Sequence, residues 1–183
     1  MKRRFPRLIA MMAALALLGA CSSTRTQQSA GEVIDDSVLT AKVKAGLIDD
    51  PITKAGQINV ETYRGVVQLG GFVDNAQQKD QATKVARSVT GVKEVRNDLR
   101  VGTKPEATVG QDVDDSMLTA TVKTKLTENS ETKAHQINVG TEKGVVQLTG
   151  FVDSTAMKAK AGEIARSVEG VKDVRNDLEI RQK

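Results

Sequence analysis

A chain of 183 residues with 27 Lys and Arg against 23 Asp and Glu carries a formal charge of +4 and a pI near 9.2, a balance that invites a nucleic-acid partner. Four of those cations, Lys2, Arg3, Arg4 and Arg7, precede an apolar run from Leu8 to Leu18, the pattern of an export signal. Without residues 1–20 the remainder holds 23 residues of each sign, so the excess basicity belongs to the signal and nucleic acid is excluded as a partner. The apolar run is shorter than the roughly 20 residues a spanning helix needs, and it reads as cleaved. A single cysteine, Cys21, permits no intramolecular disulfide.

That cysteine closes the run Leu18-Gly19-Ala20-Cys21, which resembles the lipobox of bacterial lipoproteins. The resemblance implies cleavage before Cys21, a thioether-linked diacylglycerol on its sulfur and an acyl chain on its nitrogen. Ordinary secretory cleavage near Ala20, leaving an incidental thiol, is the alternative. Ser22 to Gly31, rich in Ser, Thr and Gln, has no apolar periodicity and reads as a flexible tether. The expected layout is a signal over 1–20, a tether over 21–32, a first domain over 33–102, a linker over 103–111 and a second domain over 112–181.

The two domains follow from an internal repeat. At an offset of about 79 residues, roughly 40 of 67 aligned positions are identical between 35–101 and 114–180. Each unit is small and individually marginal in stability. In the first copy, Asp35 or Asp36 is placed to cap a helix that carries Leu39, Val43 and Leu47 on one face and stops by Pro51. The second copy keeps Leu118, Val122 and Leu126. Ile58, Val60 and Thr62 alternate, the chain turns at Tyr63-Arg64-Gly65, and Val67, Leu69 and Gly71 alternate again, a hairpin. The second hairpin turns at Glu142-Lys143-Gly144. Asp74 is placed to cap a second helix bearing Ala82, Val85, Ala86 and Val89, with Gly91 at its end. A last strand puts Val95, Asn97, Leu99 and Val101 on one face. The predicted fold class is α+β, two tandem modules of order αββαβ, each with two helices on a three-stranded mixed sheet.

Val67-Gln68-Leu69-Gly70-Gly71, the alanine-bearing helix Ala82–Val89 and the closing Gly91-Val92-Lys93-Glu94-Val95-Arg96-Asn97-Asp98-Leu99 resemble the BON domain, a bacterial module of periplasmic and outer-membrane proteins. The second copy repeats the pattern at Val146–Gly150, Ala161–Val168 and Gly170–Leu178. Tandem BON proteins of this layout resemble two groups: soluble periplasmic proteins raised in osmotic stress, and outer-membrane lipoproteins that bind anionic phospholipid and support envelope integrity. The lipobox places the chain nearer the second group. Ser22 and Ser23 stand where an inner-membrane retention signal would place Asp, which implies the periplasmic face of the outer membrane. The partners implied are membrane phospholipid, anionic by preference, and envelope proteins; a chaperone-like or protein-interaction role of the osmotic-stress type is the alternative.

In the phospholipid-binding relatives the first helix of the second domain meets the membrane, which corresponds to Asp115–Leu126 here. Met117, Thr121 and Lys125 lie at four-residue steps along it and offer a soft apolar contact and an ammonium. The competing reading has Met117 packed under the helix start and Lys125 as a solvated charge. His135, with no second histidine or nearby cysteine, reads as a surface residue and not a metal ligand. Tyr63 at the hairpin tip reads as a surface tyrosine or an exposed contact, and Phe72 and Phe151 as core. Asp35-Asp36 and Asp114-Asp115 read as helix caps, not acid/base pairs. Gly65, Gly70, Gly71 and Gly91 form no phosphate loop. No nucleophile, base, metal or cofactor set emerges, and the chain is not expected to be an enzyme.

Overall fold

The computed structural model describes residues 30–53, 58–102, 109–132 and 136–181. Cys21 and His135 lie outside them. In the first module, helix α1 (Ala30–Asp49) precedes strands β1 (Ile58–Tyr63) and β2 (Val66–Val73), helix α2 (Ala76–Ser88), and strands β3 (Glu94–Asn97) and β4 (Arg100–Val101). The second repeats the order as α3 (Val109–Glu128), β5 (Ile137–Glu142), β6 (Val145–Val152), α4 (Thr155–Arg166), β7 (Asp173–Asn176) and β8 (Glu179–Ile180). Four helices and two mixed sheets make this the α+β class that the repeat pattern predicts.

Each hairpin is antiparallel and its second strand pairs in parallel with the chain that follows the second helix. The turns place both central residues at positive φ, 52° and 82° at Arg64-Gly65 and 53° and 80° at Lys143-Gly144, which matches the right-handed twist of the flanking strands. The predicted last strand is two pieces. β3 pairs with Val66–Leu69 and β4 with Phe72–Val73 of β2. Between them the Asn97 side chain accepts from the Leu99 N–H, while its amide donates to the Lys79 carbonyl and the Thr83 hydroxyl. Val101 is accordingly 47% exposed, not on a buried face.

The core of each module lies between its helices and one sheet face. Val43 and Leu47 of α1, Val60, Val67 and Leu69 of the hairpin, Ala82 and Ala86 of α2 and Leu99 form the first cluster; Val122, Leu126, Val139, Val146, Leu148, Ala161, Ala165 and Leu178 form its counterpart. The helical four-residue spacing and the strand alternation read from sequence therefore carry the cores.

Three expected caps are corrected. Helix α1 starts at Ala30 and α3 at Val109, so the Asp pairs lie inside the helices. Asp36 accepts hydrogen bonds from the Arg64 and Gly65 N–H groups at 2.6 and 2.8 Å, and Asp115 from those of Lys143 and Gly144 at 2.5 and 2.8 Å. These carboxylates hold the hairpin turns against the helix. The cap of α2 is Asn75, whose side chain accepts from the Gln78 N–H, and Asp74 instead pairs with the Gln78 side chain.

The opposite sheet faces pack on each other, giving helix, sheet, sheet and helix layers. Gln68 and Gln147, each 1% exposed, cross this interface reciprocally. The Oε1 of Gln68 accepts from the Gly150 N–H and that of Gln147 from the Gly71 N–H. The amide of Gln68 donates to Asp98 and to the Asp177 carbonyl, and the amide of Gln147 to Asp177 and the Asp98 carbonyl. Each contact maps onto its counterpart by the repeat offset, the signature of a two-fold arrangement. Burying the glutamines is tolerable because every polar group on them is satisfied.

Candidate functional site

The middle turns of α3, the β5–β6 turn and the loop after α4 enclose a cleft of about 360 Å³ lined by Asp114, Asp115, Met117, Leu118, Thr121, Lys143, Gly144, Glu169, Gly170 and Lys172. Its parts are fixed from below. Leu118 packs half-buried on the second core and sits beside Gly170, while the Asp115 carboxylate ties the Lys143-Gly144 turn to α3. Thr119 donates to Thr141 at 2.7 Å, a second tie between α3 and β5.

Met117 is 65% exposed and stands at the rim, so the reading that packs it under the helix start does not hold. Thr121 shares the cleft. Lys125 is exposed in the last turn of α3 and does not line it; eight residues of helix separate it from Met117 by about 12 Å of rise. The cations the structure brings to Met117 are Lys143 and Lys172. A signal for them was present in the repeat, since a cation recurs at each position in the first copy, as Arg64 and Lys93.

Charge at the rim is close to balanced: Lys143 and Lys172 face Asp114 and Glu169, while Asp115 is occupied with backbone N–H groups. The first module differs at the matching positions. Thr121, Lys143 and Glu169 correspond to Lys42, Arg64 and Thr90, and Met117 to Val38, which is 45% exposed. The second cleft thus carries a longer, softer apolar side chain, and the matching positions of the first module are more cationic.

Phe151 is buried as expected, while Tyr63 and Phe72 are half-buried. Tyr63 is half-buried between the modules, 5.5 Å from the Phe151 ring, with the guanidinium of Arg181 5.4 Å from its own ring centre. Phe151 is 8% exposed, yet it belongs to the intermodule contact and not to the helix-covered core, and Phe72 lies against Gly140 of the other module. Opposite Tyr63 in the repeat stands Glu142, beside Gly102. Burial pushes the Glu142 carboxyl above its ordinary value of 4.5; Asp115 and Asp74 add to the rise and Lys143 opposes it.

Among the described residues no three His, Cys, Asp or Glu side chains gather as a metal site, and no helix is long and apolar enough to cross a membrane.

A repeated αββαβ unit with mixed sheets, an Asp-held hairpin and a Gly-Val-Lys loop beside the first helix defines a small α+β module used in tandem. The BON domain family model matches residues 35–103 and 114–182, and the chain belongs to that family. It is 42% identical over 151 residues to Osmotically-inducible protein Y of Escherichia coli, covering 82% of this chain and 75% of that protein. It is 39% identical over 148 residues to Outer membrane lipoprotein DolP of Haemophilus influenzae and, at the same identity and length, to the 21 kDa hemolysin of Actinobacillus pleuropneumoniae, covering 80% of this chain and 75% of each.

Proposed function

We propose that this chain is an envelope lipoprotein, anchored by acyl chains on Cys21 at the periplasmic face of the outer membrane, whose second module rests on anionic phospholipid and supports envelope integrity or stress resistance. The observation that carries the reading is Met117, 65% exposed on α3 with Lys143 and Lys172 on the same cleft. Cys21 follows the lipobox-like run, and the relative from Haemophilus influenzae is named an outer membrane lipoprotein.

The magnitudes fit a tethered, low-affinity contact. Burying a methionine side chain is worth about 1.5–3 kcal/mol, and the roughly 1 kcal/mol that each lysine contributes near an anionic surface is largely offset by Asp114 and Glu169 on the same rim. A total of about 2–3 kcal/mol corresponds to an affinity on the order of 10 mM. A lipid anchor holds the module at the membrane surface, so a contact this weak still counts. Thr121 extends the contact along α3, and Lys125 adds a cation further along the same helix.

The test is co-sedimentation of residues 22–183 with phosphatidylglycerol or phosphatidylcholine vesicles. Binding to the anionic vesicles alone is expected, weakened by salt and lost in Met117→Glu and in Lys143→Glu/Lys172→Glu, with Lys125→Glu weaker in effect. Loss in Lys42→Glu instead would move the contact to the first module, and equal pelleting with both lipids would overturn headgroup recognition.

One observation favours a protein ligand: the carboxylates of Asp114 and Glu169 share the cleft with Met117, a combination suited to a basic-apolar segment of an unfolded envelope protein. On that chaperone-like reading the unlipidated chain suppresses aggregation of a client and ignores vesicles of either charge.

A further inference from the structure

We infer that the sheet faces of the two modules are complementary to each other and not to copies of themselves, with Gly70 facing Thr149 as the partner-selecting contact. The glutamine-centred hydrogen bonding of the interface does not discriminate, whereas the Asn138 amide donates to Glu61, whose counterpart in the repeat is Gly140. Gln68 and Gln147, Gly71 and Gly150, and Asp98 and Asp177 are identical pairs under the repeat, and each makes the same reciprocal bonds. By these bonds alone, either module could pair with a second copy of itself.

Position 70/149 breaks the equivalence. A Cβ on Gly70 would lie 2.5 Å from the Cγ2 and Oγ1 of Thr149 and 2.8 Å from its Cβ. Thr149 is 3% exposed on a central strand, and it fills the space that the missing side chain leaves. The second module against its own copy would set Thr149 on Thr149, where the backbones stand too close for two side chains. The first module against its own copy meets a different obstacle. Two cations of the first module reach carboxylates of the second, Arg96 to Glu179 at 2.6 Å and Arg100 to Asp177 at 3.2 Å. Glu179 corresponds to Arg100 in the repeat, so pairing the first module with itself would turn Arg96 toward Arg100. Steric exclusion acts against the self-pair of the second module, and the self-pair of the first loses the Arg96–Glu179 ion pair and sets Arg96 toward Arg100 at both of its symmetry-related ends, where the cognate pair keeps the ion pair at one. The sheet faces are thereby committed within one chain, and outside ligands must use the helical sides and the turns.

The experiment is amide hydrogen exchange by NMR on the full chain, followed at Gly71 and Gly150, whose N–H groups bond to the glutamine of the other module. The Val67 and Val146 amides, on the central strands and fully buried, report whether the modules themselves stay folded. Gly70→Thr should speed exchange at both glycines about 10- to 100-fold, the range overpacking produces. The reciprocal swap Gly70→Thr/Thr149→Gly should restore it to within about threefold of the parent, an expectation that rests on the same fit of one side chain per site. Should Gly70→Thr also release Val67, Thr149→Leu decides from the other side: it should free Gly71 and Gly150 while Val67 and Val146 stay protected. Unchanged exchange in Gly70→Thr, a swap no slower than the single variant, or Thr149→Leu with both glycines still protected would overturn the inference.

Discussion

Replacing Asp36 by alanine tests how the hairpin turn is held. The carboxylate is 7% exposed and accepts from two backbone N–H groups 28 and 29 residues away, at 2.6 and 2.8 Å. A hydrogen bond to a charged group is worth about 1.5–3 kcal/mol. The Gly65 N–H is buried and loses its acceptor outright, whereas the half-buried Arg64 N–H can turn to water. The expected loss is about 2–4 kcal/mol, most of it from the buried donor. Asp115→Ala should cost a similar amount in the second module, and Asp36→Asn, which keeps one acceptor and the shape, about half. Urea unfolding at neutral pH reads this as a fall in midpoint at constant slope. A loss under about 0.5 kcal/mol in both alanine variants would mean that the turns hold themselves and that these carboxylates serve another purpose.

Two further expectations follow from the same geometry. Gly150 has φ +126°, and a Cβ there would run into the Gln136 carbonyl oxygen; Gly150→Ala should therefore lose about 3 kcal/mol or more in thermal or urea unfolding. Glu142 has a carboxyl raised by burial, so the folded state favours its neutral form. Its stabilising contribution is complete below the ordinary value of 4.5 and is lost as pH rises through the higher folded value. Glu142→Gln should accordingly raise the melting temperature at pH 7 and have little effect near pH 4, as scanning calorimetry at the two pH values would show.

Much of the module was legible in the sequence because its signals are local. The four-residue spacing of Leu39, Val43 and Leu47 and the alternation of Ile58 and Val60 report burial against the same segment's neighbours. The intermodule face left no such signal. Gln68 and Gln147 alternate with core residues exactly as solvated strand residues do, and only the partner sheet shows that they are buried. Phe72 and Phe151 looked like core for the same reason: an aromatic at a sheet end marks burial but not the layer that buries it. The aspartates were misassigned because an Asp near a helix start satisfies the capping pattern, while their actual partners are turn N–H groups far along the chain. Met117 stands out in the sequence because its counterpart in the first copy is Val38. Its cationic neighbours come from a turn and a loop, and their approach to α3 is a product of the fold.

The most direct test of the proposed membrane contact uses the methionine methyl groups. Outside the predicted signal the chain has two methionines, Met117 and Met157, and Met157 packs against the second core. With both methyls labelled for NMR and anionic or zwitterionic nanodiscs added, the account predicts that the Met117 signal shifts and broadens with the anionic discs while Met157 stays in place. A Met117 signal indifferent to the anionic bilayer, with the chain nonetheless bound to it, would contradict the account and place the membrane contact on another surface.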